Sequence, residues 1–319
     1  MNDALVTVRN LRKYFPISNK AVVKAVDDIS FCIRRGETLG LVGESGCGKT
    51  TTGRMLLRLI EPTSGEVSFE GKELLAQSKT QLRALKKKMA LVFQDPCASL
   101  NPRMTIGRIL TFPMEVHDLY EGKREKRVSE LLEMVGMRIS DANRYPHEFS
   151  GGQLQRIGIA RALAVDPIFI VADEPVSALD VSIQSQVLNL FKDLQEQLHL
   201  TYLFIAHDLS VVEFISDRIA VLYLGKIVEI AHAQKLYRCP LHYYTKSLIN
   251  AIPLPDPEIE NGKPEHILLD GEVPSPINPP TGCRFHPRCS ERIEECSVQE
   301  PPLVQVADDH FVACHRVSS

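Results

Sequence analysis

The chain has 319 residues, a length that suits about two domains and permits a sizeable core without disulfide staples. Its 37 basic and 40 acidic residues leave a net charge of −3, so nothing in the overall charge favours nucleic acid as a partner. The longest apolar runs, residues 168–172 and 219–224, are far shorter than the roughly 18 residues of a membrane-spanning helix. We therefore expect a globular chain that neither spans a membrane nor binds DNA or RNA.

The N-terminal part predicts strands that lead into a glycine-rich turn and a helix. Apolar residues alternate weakly over residues 5–8 and more clearly over 25–31, and residues 38–42 form a short apolar run. Residues 50–60 then carry apolar side chains at helical spacing. Strand, glycine loop and helix follow one another in the order of a phosphate-binding site, so the predicted fold class is α/β.

The middle of the chain predicts a helical insertion followed by more strands. Residues 97–165 contain few strand signals and several helical patterns, which indicates an inserted helical subdomain. Three apolar runs follow at 168–172, 202–206 and 219–224, separated by helical stretches. This pattern is typical of buried parallel strands.

The composition changes near residue 250. Of the 20 prolines, 11 lie between Pro253 and Pro302, including the segments 253–257 and 274–280. Proline disfavours both helices and central strands because it lacks a backbone donor. We therefore predict a first domain at residues 1–250 and a small, irregular C-terminal module at residues 251–319.

Residues 43–50, G-E-S-G-C-G-K-T, match a phosphate-loop pattern at every fixed position. Glycines in such a loop let backbone N–H groups converge on phosphate oxygens, and the following helix adds its positive end. Lys49 is predicted to reach the β- and γ-phosphates, and the Thr50 hydroxyl to bind Mg²⁺. The alternative without a binding function is an ordinary glycine-rich turn between a strand and a helix. The residues predicted to hold the nucleotide here are Gly43, Ser45, Gly46, Cys47, Gly48, Lys49, Thr50 and Thr51.

Two carboxylates stand at the end of the apolar run 168–172. Asp173 at such a strand end is suited to hold Mg²⁺ through water. The adjacent Glu174 is suited to orient and deprotonate a water aimed at the γ-phosphate. An Asp-Glu pair alone would more often be a plain strand-to-turn junction, but its pairing with a phosphate loop favours the functional interpretation.

A third pattern lies just upstream, where Phe149-Ser150-Gly151-Gly152-Gln153 precedes a helical stretch. Here the sequence resembles the ATP-binding subunits of ABC transporters, whose signature is usually L-S-G-G-Q, with phenylalanine here in place of leucine. The resemblance implies a P-loop ATPase in which two chains sandwich two ATP molecules. The signature residues of one chain, Ser150, Gly151, Gly152 and Gln153, would then hold the γ-phosphate bound to the opposite chain.

Other landmarks of this family follow in order. Gln94 resembles the glutamine that senses Mg²⁺ and couples to the membrane subunits. Asp180 resembles the aspartate that lies across the dimer interface, and His207 the histidine that contacts the γ-phosphate. The family also places an aromatic residue against adenine, for which Tyr14 and Phe15 are candidates and Phe15 is favoured. Either ring would otherwise be a core aromatic at a strand end.

Eight cysteines need a separate explanation, because a cytosolic chain keeps its thiols reduced and we see no secretory signal. Four are scattered and interpreted as isolated thiols. The other four crowd near the C-terminus with five, six and 17 residues between them: Cys283, Cys289, Cys296 and Cys314. Spacing alone leaves zinc, an iron–sulfur cluster and free buried thiols open.

The C-terminal segment adds a finer resemblance. Residues 282–289, G-C-R-F-H-P-R-C, and residues 313–316, A-C-H-R, look like the C-terminal extension of oligopeptide and dipeptide importer ATPases. Some members of that group hold a [4Fe–4S] cluster through four such cysteines. Residues 241–245, L-H-Y-Y-T, resemble a further mark of the group, with Tyr243 in place of its usual proline.

The resemblance implies an ATP-hydrolysing subunit that powers peptide import, with ATP and Mg²⁺ as ligands. Expected partners are a second ATPase subunit, two membrane permeases and an external solute-binding protein, and the expected location is the cytoplasmic face of the membrane. Nickel importers of the same group share much of the pattern and are an alternative. More distant alternatives are a soluble ABC-type ATPase acting on DNA or ribosomes, and a non-hydrolysing redox-sensing subunit.

Overall fold

The computed structural model describes residues 4–18, 21–252 and 271–317. By their contacts these residues fall into two compact units, each assembled from separated stretches of the chain. The first unit takes the described parts of Met1–Leu5, Ile33–Thr38 and Lys72–Ile205. The second unit takes those of Val6–Cys32, Leu39–Gly71 and Ala206–Ser319. The sequence-based division at residue 250 therefore stays a prediction.

Twelve strands are described, numbered in chain order: β1 (Ala4–Ser18), β2 (Ala21–Arg34), β3 (Thr38–Val42), β4 (Ser64–Phe69), β5 (Lys72–Glu73), β6 (Met89–Val92), β7 (Phe169–Asp173), β8 (Thr201–Ile205), β9 (Arg218–Tyr223), β10 (Lys226–His232), β11 (Val304–Ala307) and β12 (His310–Val312). The described α-helices are α1 (Lys49–Leu56), α2 (Lys79–Lys86), α3 (Pro96–Ser99), α4 (Ile106–Val116), α5 (Arg124–Met134), α6 (Gly151–Leu163), α7 (Val181–Leu198), α8 (Leu209–Ile215), α9 (Ala233–Arg238), α10 (Tyr243–Asn250) and α11 (Glu295–Val298).

The first unit is built on a parallel set of strands in the order β6-β7-β8. Val92 pairs with Ala172, and Asp173 pairs with Ile205, so the carboxyl ends of these strands lie side by side. Every residue of β7 and β8 is buried, as expected for parallel strands covered on both faces. The sequence predicts both strands within one residue of where they lie.

The regular elements described between β6 and β7 are all helices. They comprise α3 to α6 and two short 3-10 helices, Ile139–Asn143 and Pro146–Glu148. Thr105 is the N-cap of helix α4, and its hydroxyl accepts from the backbone N–H of Arg108. The buried face of this helix carries Ile109 and Leu110. Capping and an apolar stripe thus explain the helical character of this stretch.

The second unit contains two sheets. In one, the strand order is β2-β1-β4, with β1 antiparallel to β4. The other has the order β11-β12-β10-β9-β3. Strand β3 pairs in parallel with β9, while β9, β10, β12 and β11 follow one another antiparallel. The strand that carries the phosphate loop is therefore next to β9 in a sheet that ends in C-terminal residues.

The C-terminal residues differ from the irregular module that the proline content predicts. Strands β11 and β12 form a hairpin that extends the sheet at β10, pairing Ile230 with Phe311. Sequence reasoning overlooks this hairpin because its strands are only four and three residues long. The segment 274–280 does lack regular structure, as proline dictates, whereas 253–257 lies outside the described residues.

Within the described residues, no helix is both long enough and apolar enough to cross a membrane.

Candidate ATP-binding and hydrolysis site

The phosphate loop connects β3 to α1 in the second unit. Gly43, Gly46 and Gly48 all have positive φ angles, of 151°, 78° and 109°. A Cβ atom at Gly48 would lie 2.1 Å from the carbonyl oxygen of Ala25, so only glycine fits there. Lys49 is buried, and its Nζ donates to the carbonyl oxygens of Gly43 at 2.7 Å and Glu44 at 3.1 Å.

The remaining residues of the loop divide by exposure. Ser45 and Gly46 are exposed, and Thr50 and Thr51 are half-buried in the first turn of α1. Cys47 is buried, and that burial raises the pKa of its thiol to about 11. The Cys47 thiol is therefore protonated at neutral pH and packs inside the loop, so its side chain is poorly suited to react.

C-terminal residues hold the loop at Glu44. The backbone N–H of Glu44 donates to the hydroxyl of Tyr244 in α10 at 2.9 Å. Its carboxylate accepts from both terminal nitrogens of Arg288, at 2.9 to 3.2 Å. Sequence reasoning missed Tyr244 and Arg288 because both lie about 200 residues or more beyond the loop and match no nucleotide motif.

The two acidic residues of the first unit lie at the end of β7. Asp173 is buried, and Glu174 has a φ of 47°, which is rare for a residue with a side chain. The Glu174 backbone N–H donates to the carbonyl oxygen of Ile205 at 2.9 Å. Gln94 donates from Nε2 to Oε2 of Glu174 at 2.9 Å, so two residues singled out from the sequence meet here.

The Ser-Gly-Gly-Gln segment forms the start of α6. Ser150 is the N-cap, and its backbone and hydroxyl exchange hydrogen bonds with Gln153 at 3.0 and 3.4 Å. A Cβ atom at Gly152 would lie 2.4 Å from Cγ2 of Ile183 in α7, whereas one at Gly151 would lie 3.6 Å from Cδ2 of Leu179. Gly152 thus has a packing role as well as its predicted role toward phosphate.

Asp180 is the N-cap of α7. Its carboxylate accepts from the Ile183 backbone N–H at 3.0 Å and from the Ser182 hydroxyl at 2.7 Å. These two bonds, Ser182 first, lower the pKa of Asp180, which keeps the exposed carboxylate ionised. Ile183 lies in the turn capped by Asp180 and also against Gly152. The predicted signature and the Asp180 turn are therefore in contact within the first unit.

His207 and the two aromatic candidates belong to the second unit. His207 is exposed, in the turn between β8 and α8. The Tyr14 hydroxyl is hydrogen-bonded to Asp27, and burial is the main cause that raises the pKa of this tyrosine to about 12. Phe15 is 36% exposed, with the Lys13 ammonium 4.9 Å from its ring centre. Of the two rings, Phe15 is thus the more accessible.

The four C-terminal cysteines line one cavity of about 250 Å³. Burial raises the pKa of Cys283 to about 12, and the other three thiols add to that rise. Backbone N–H groups two residues downstream donate to the sulfurs of Cys283, Cys289 and Cys314 and lower their pKa values. The four cysteines thus share one cavity, and three of their sulfurs accept backbone N–H groups.

A single metal ion would need closer ligands. Across residues 4–18, 21–252 and 271–317, no three His, Cys, Asp or Glu side chains are close enough together to hold one ion. The described residues therefore contain no ready-made set of metal ligands that would support the expected iron–sulfur cluster. None of the eight cysteines, all of which lie in the described ranges, forms a disulfide.

A glycine loop around Lys49 and an Asp-Glu pair at a strand end are the parts of a P-loop ATPase, and the Ser-Gly-Gly-Gln start of α6 narrows that class to ATP-binding cassettes. Comparison with known sequences agrees. The chain matches the ABC transporter family over residues 26–177 and the oligopeptide/dipeptide transporter C-terminal region over residues 228–296.

Whole-chain relatives make the assignment specific. The chain is 56% identical to YkfD of Bacillus subtilis, over 98% of this chain and 95% of that protein. It is 51% identical to the oligopeptide transport ATP-binding protein AppF of the same organism, over 99% and 98%. The chain belongs to the ATP-binding proteins of ABC transporters, in the oligopeptide/dipeptide group, and it is an ATPase.

Solved structures support the cassette fold. The ATP-binding cassette MJ0796, solved as a dimer in a post-hydrolysis state with ADP and Pi, matches with a TM-score of 0.65 at 30% identity. The match covers 72% of this chain and 98% of that one.

Proposed function

We propose that this chain hydrolyses ATP to power the import of oligopeptides or dipeptides across the cell membrane. The observation that carries the proposal is the match over residues 228–296 to the oligopeptide/dipeptide transporter C-terminal region. The AppF relative, named for oligopeptide transport, extends the similarity to nearly the whole chain. The ATPase activity is common to the family, so the new element of the proposal is the peptide cargo.

In the proposed reaction, the Lys49 ammonium, positioned by the carbonyl oxygens of Gly43 and Glu44, binds the β- and γ-phosphates. Thr50, Asp173 and Gln94 are the residues that would hold Mg²⁺, which neutralises phosphate charge when it is bound. Glu174 accepts a proton from the attacking water, and His207 contacts the γ-phosphate. Phe15 stacks on adenine, since its ring is more exposed than that of Tyr14.

The complete site needs two chains. Ser150, Gly151, Gly152 and Gln153 would bind the γ-phosphate held by a partner chain, and Asp180 would lie across the interface. The position of Gly151 and Gly152 in the first turn of α6 supports this role, because a helix N-terminus favours an anion. The dimeric MJ0796 cassette offers a structural precedent.

We place the chain at the cytoplasmic face of the membrane, with a second ATPase subunit, two permeases and an external solute-binding protein as partners. Residues 1–250 would form the ATPase domain and residues 251–319 the C-terminal extension. The helices within 97–165, together with Gln94, would contact the permeases. The bond between Gln94 and Glu174 supports such coupling, because a movement of Gln94 reaches the proposed base directly.

A growth test addresses the cargo. A strain that lacks this chain and needs one amino acid is supplied with that amino acid only as a dipeptide or a tetrapeptide. We expect growth with the wild-type chain but not with Glu174→Gln, and equal growth of both on the free amino acid. Growth on peptides without the chain, together with chain-dependent uptake of radioactive nickel, would contradict peptide import in favour of nickel.

We further propose that Cys283, Cys289, Cys296 and Cys314 hold a [4Fe–4S] cluster. Their shared cavity and the N–H donors to three of the sulfurs support a four-thiolate group. A cluster of four irons is larger than one ion, so its ligands stand farther apart than those of a single-ion site. Burial is the main cause that raises the pKa values of Cys283, Cys289 and Cys314, and a positively charged cluster core would offset both that burial cost and the mutual repulsion of the thiolates.

Anaerobic purification followed by iron, sulfide and zinc analysis tests the cluster. We expect iron and sulfide in equal amounts, lost in Cys289→Ala but kept in Cys239→Ala, an exposed cysteine outside the cavity. Zinc without iron, or no metal at all in protein purified without oxygen, would contradict the proposal.

A further inference from the structure

We propose that Arg288, in the C-terminal part of the chain, is a positioning residue for ATP binding: by holding Glu44 it fixes the phosphate loop. Nucleotide affinity then depends on a residue about 240 positions downstream of the loop. No nucleotide motif contains Arg288, which lies between Cys283 and Cys289 in the sequence.

The contact between the two residues is a partly buried, two-pronged ion pair. Nη1 of Arg288 lies 2.9 and 3.2 Å from the two carboxylate oxygens of Glu44, and Nη2 lies 3.2 Å from one of them. The Arg288 side chain is 7% exposed and that of Glu44 25%. Planar pairs of this kind fix geometry more strongly than a lysine pair because both partners are held in orientation.

Two further hydrogen bonds hold Glu44, one through its backbone N–H and one between its carbonyl oxygen and Lys49. Its backbone N–H donates to Tyr244, which itself packs on Phe285 with ring centres 5.4 Å apart. Its carbonyl oxygen accepts from Nζ of Lys49 at 3.1 Å. The side chain, the backbone N–H and the carbonyl of one loop residue are therefore all engaged, and the last contact is with the lysine proposed to bind phosphate.

A neighbouring arginine strengthens the link without touching the loop. Arg284 is buried and donates to Asp27 and to the carbonyl oxygen of Leu224. It therefore fastens the segment that carries Arg288 to strand β2. This anchor gives Arg288 a fixed base from which to hold Glu44, so loss of the Glu44 contact should free the loop and leave the segment attached.

The test measures the Kd for ATP by displacement of MANT-ATP from the full-length chain. We expect Arg288→Met to raise the ATP Kd about tenfold, the scale of one charged hydrogen-bonded contact. Arg316→Gln is the matched control, because Arg316 pairs with Glu291 in the same part of the chain, at 3.2 Å, outside the loop. It should leave the ATP Kd unchanged.

A double-mutant cycle shows whether Arg288 acts through Glu44. If it does, Glu44→Gln combined with Arg288→Met binds ATP no more weakly than Arg288→Met alone. A lowered unfolding midpoint with an unchanged ATP Kd would overturn the proposal, and so would effects that add in the double variant. If Arg288→Met fails to fold, Glu44→Gln alone decides, because it keeps the backbone bond to Tyr244 and must still raise the Kd.

The inference rests on the proposed role of the phosphate loop, and one further variant separates the two. Lys49→Ala should abolish ATP binding whatever Arg288 does. Normal ATP binding by Lys49→Ala would remove the phosphate-loop assignment itself. A lost affinity in Lys49→Ala with a normal affinity in Arg288→Met would remove only the positioning role.

Discussion

The amide Nε2 of Gln94 lies 2.9 Å from the carboxylate oxygen Oε2 of Glu174 and donates a hydrogen bond to it. The two residues follow neighbouring parallel strands, β6 and β7, whose carboxyl ends lie side by side. Because of this bond, the position of the Glu174 carboxylate, the proposed base, depends on Gln94, the residue expected to sense Mg²⁺ and the membrane subunits. We therefore expect Gln94 to influence the rate of hydrolysis although it accepts no proton itself.

Replacing Gln94 tests this relationship through the rate of hydrolysis. Gln94→Glu loses the amide donor and places a second carboxylate beside Glu174, which repels it from its bonded position, so kcat should fall by more than about tenfold. Gln94→Ala removes the hydrogen bond without adding charge and is the control. It should lower kcat less than Gln94→Glu does. Equal kcat values for the two variants would contradict contact between these side chains.

The packing of Gly152 predicts a stability effect separate from phosphate binding. A methyl group there would meet Cγ2 of Ile183 at 2.4 Å, and a β-branched side chain cannot turn aside easily. Gly152→Ala should cost about 1–3 kcal/mol in the free energy of unfolding, measured with urea. Adding Ile183→Ala should recover part of that loss. Gly158→Ala is the control on the same helix, because an added Cβ there would come within 4 Å of no described atom outside its own stretch of helix, and it should cause no loss.

His242 predicts a dependence of stability on pH. The ring is buried, and burial lowers its pKa to about 4, while its Nδ1 accepts the Tyr244 backbone N–H at 3.1 Å. The unfolded chain, with a His pKa of about 6.5, binds the proton first, so stability should fall by about 3 kcal/mol as the pH drops from about 6.5 to about 4.

The control for His242 is asparagine, which caps a helix equally well but does not titrate. Urea unfolding across this pH range should show a smaller loss for His242→Asn than for the wild type. Glu229 and Lys246 lie near the ring, and the substitution leaves both unchanged. Equal pH dependence in the two proteins would contradict a buried, neutral His242.

The aromatic platform can be assigned by two substitutions. Phe15→Ala should weaken ATP binding by about 1–3 kcal/mol, the usual contribution of a stacked ring. Tyr14→Phe removes only the bond to Asp27 and should change the ATP Kd little. Fluorescence displacement measures both affinities, and the opposite ranking would assign the platform to Tyr14.

The motifs could be predicted from the sequence because each is short and its geometry is local. The phosphate loop needs glycines at fixed spacing, and the strand before Asp173 is recognisable as an unbroken apolar run. The bond between Gln94 and Glu174 spans 80 residues, yet it could be anticipated in part because both residues follow strands of one sheet.

The contacts made by C-terminal residues could not be predicted in this way. Arg288 and Glu44 are 244 residues apart, and no pattern in the sequence pairs one arginine with one glutamate. The same is true of Glu229, which is fully buried and accepts hydrogen bonds from His310 at 2.8 Å and from the His242 backbone at 3.0 Å. Such partners become evident only when the sheet order places β10 beside β12.

Transport by the reconstituted complex tests the central claim most directly. The chain is assembled in liposomes with its co-purifying ATPase and membrane subunits and supplied with the solute-binding protein, and uptake of a labelled dipeptide and ATP hydrolysis are measured together. We expect ATP-dependent peptide accumulation with the wild-type chain. With Glu174→Gln, hydrolysis should fall by about 10²- to 10⁴-fold and accumulation should stop, although ATP still binds. Hydrolysis by Glu174→Gln at the wild-type rate, or wild-type hydrolysis without peptide accumulation, would contradict the account.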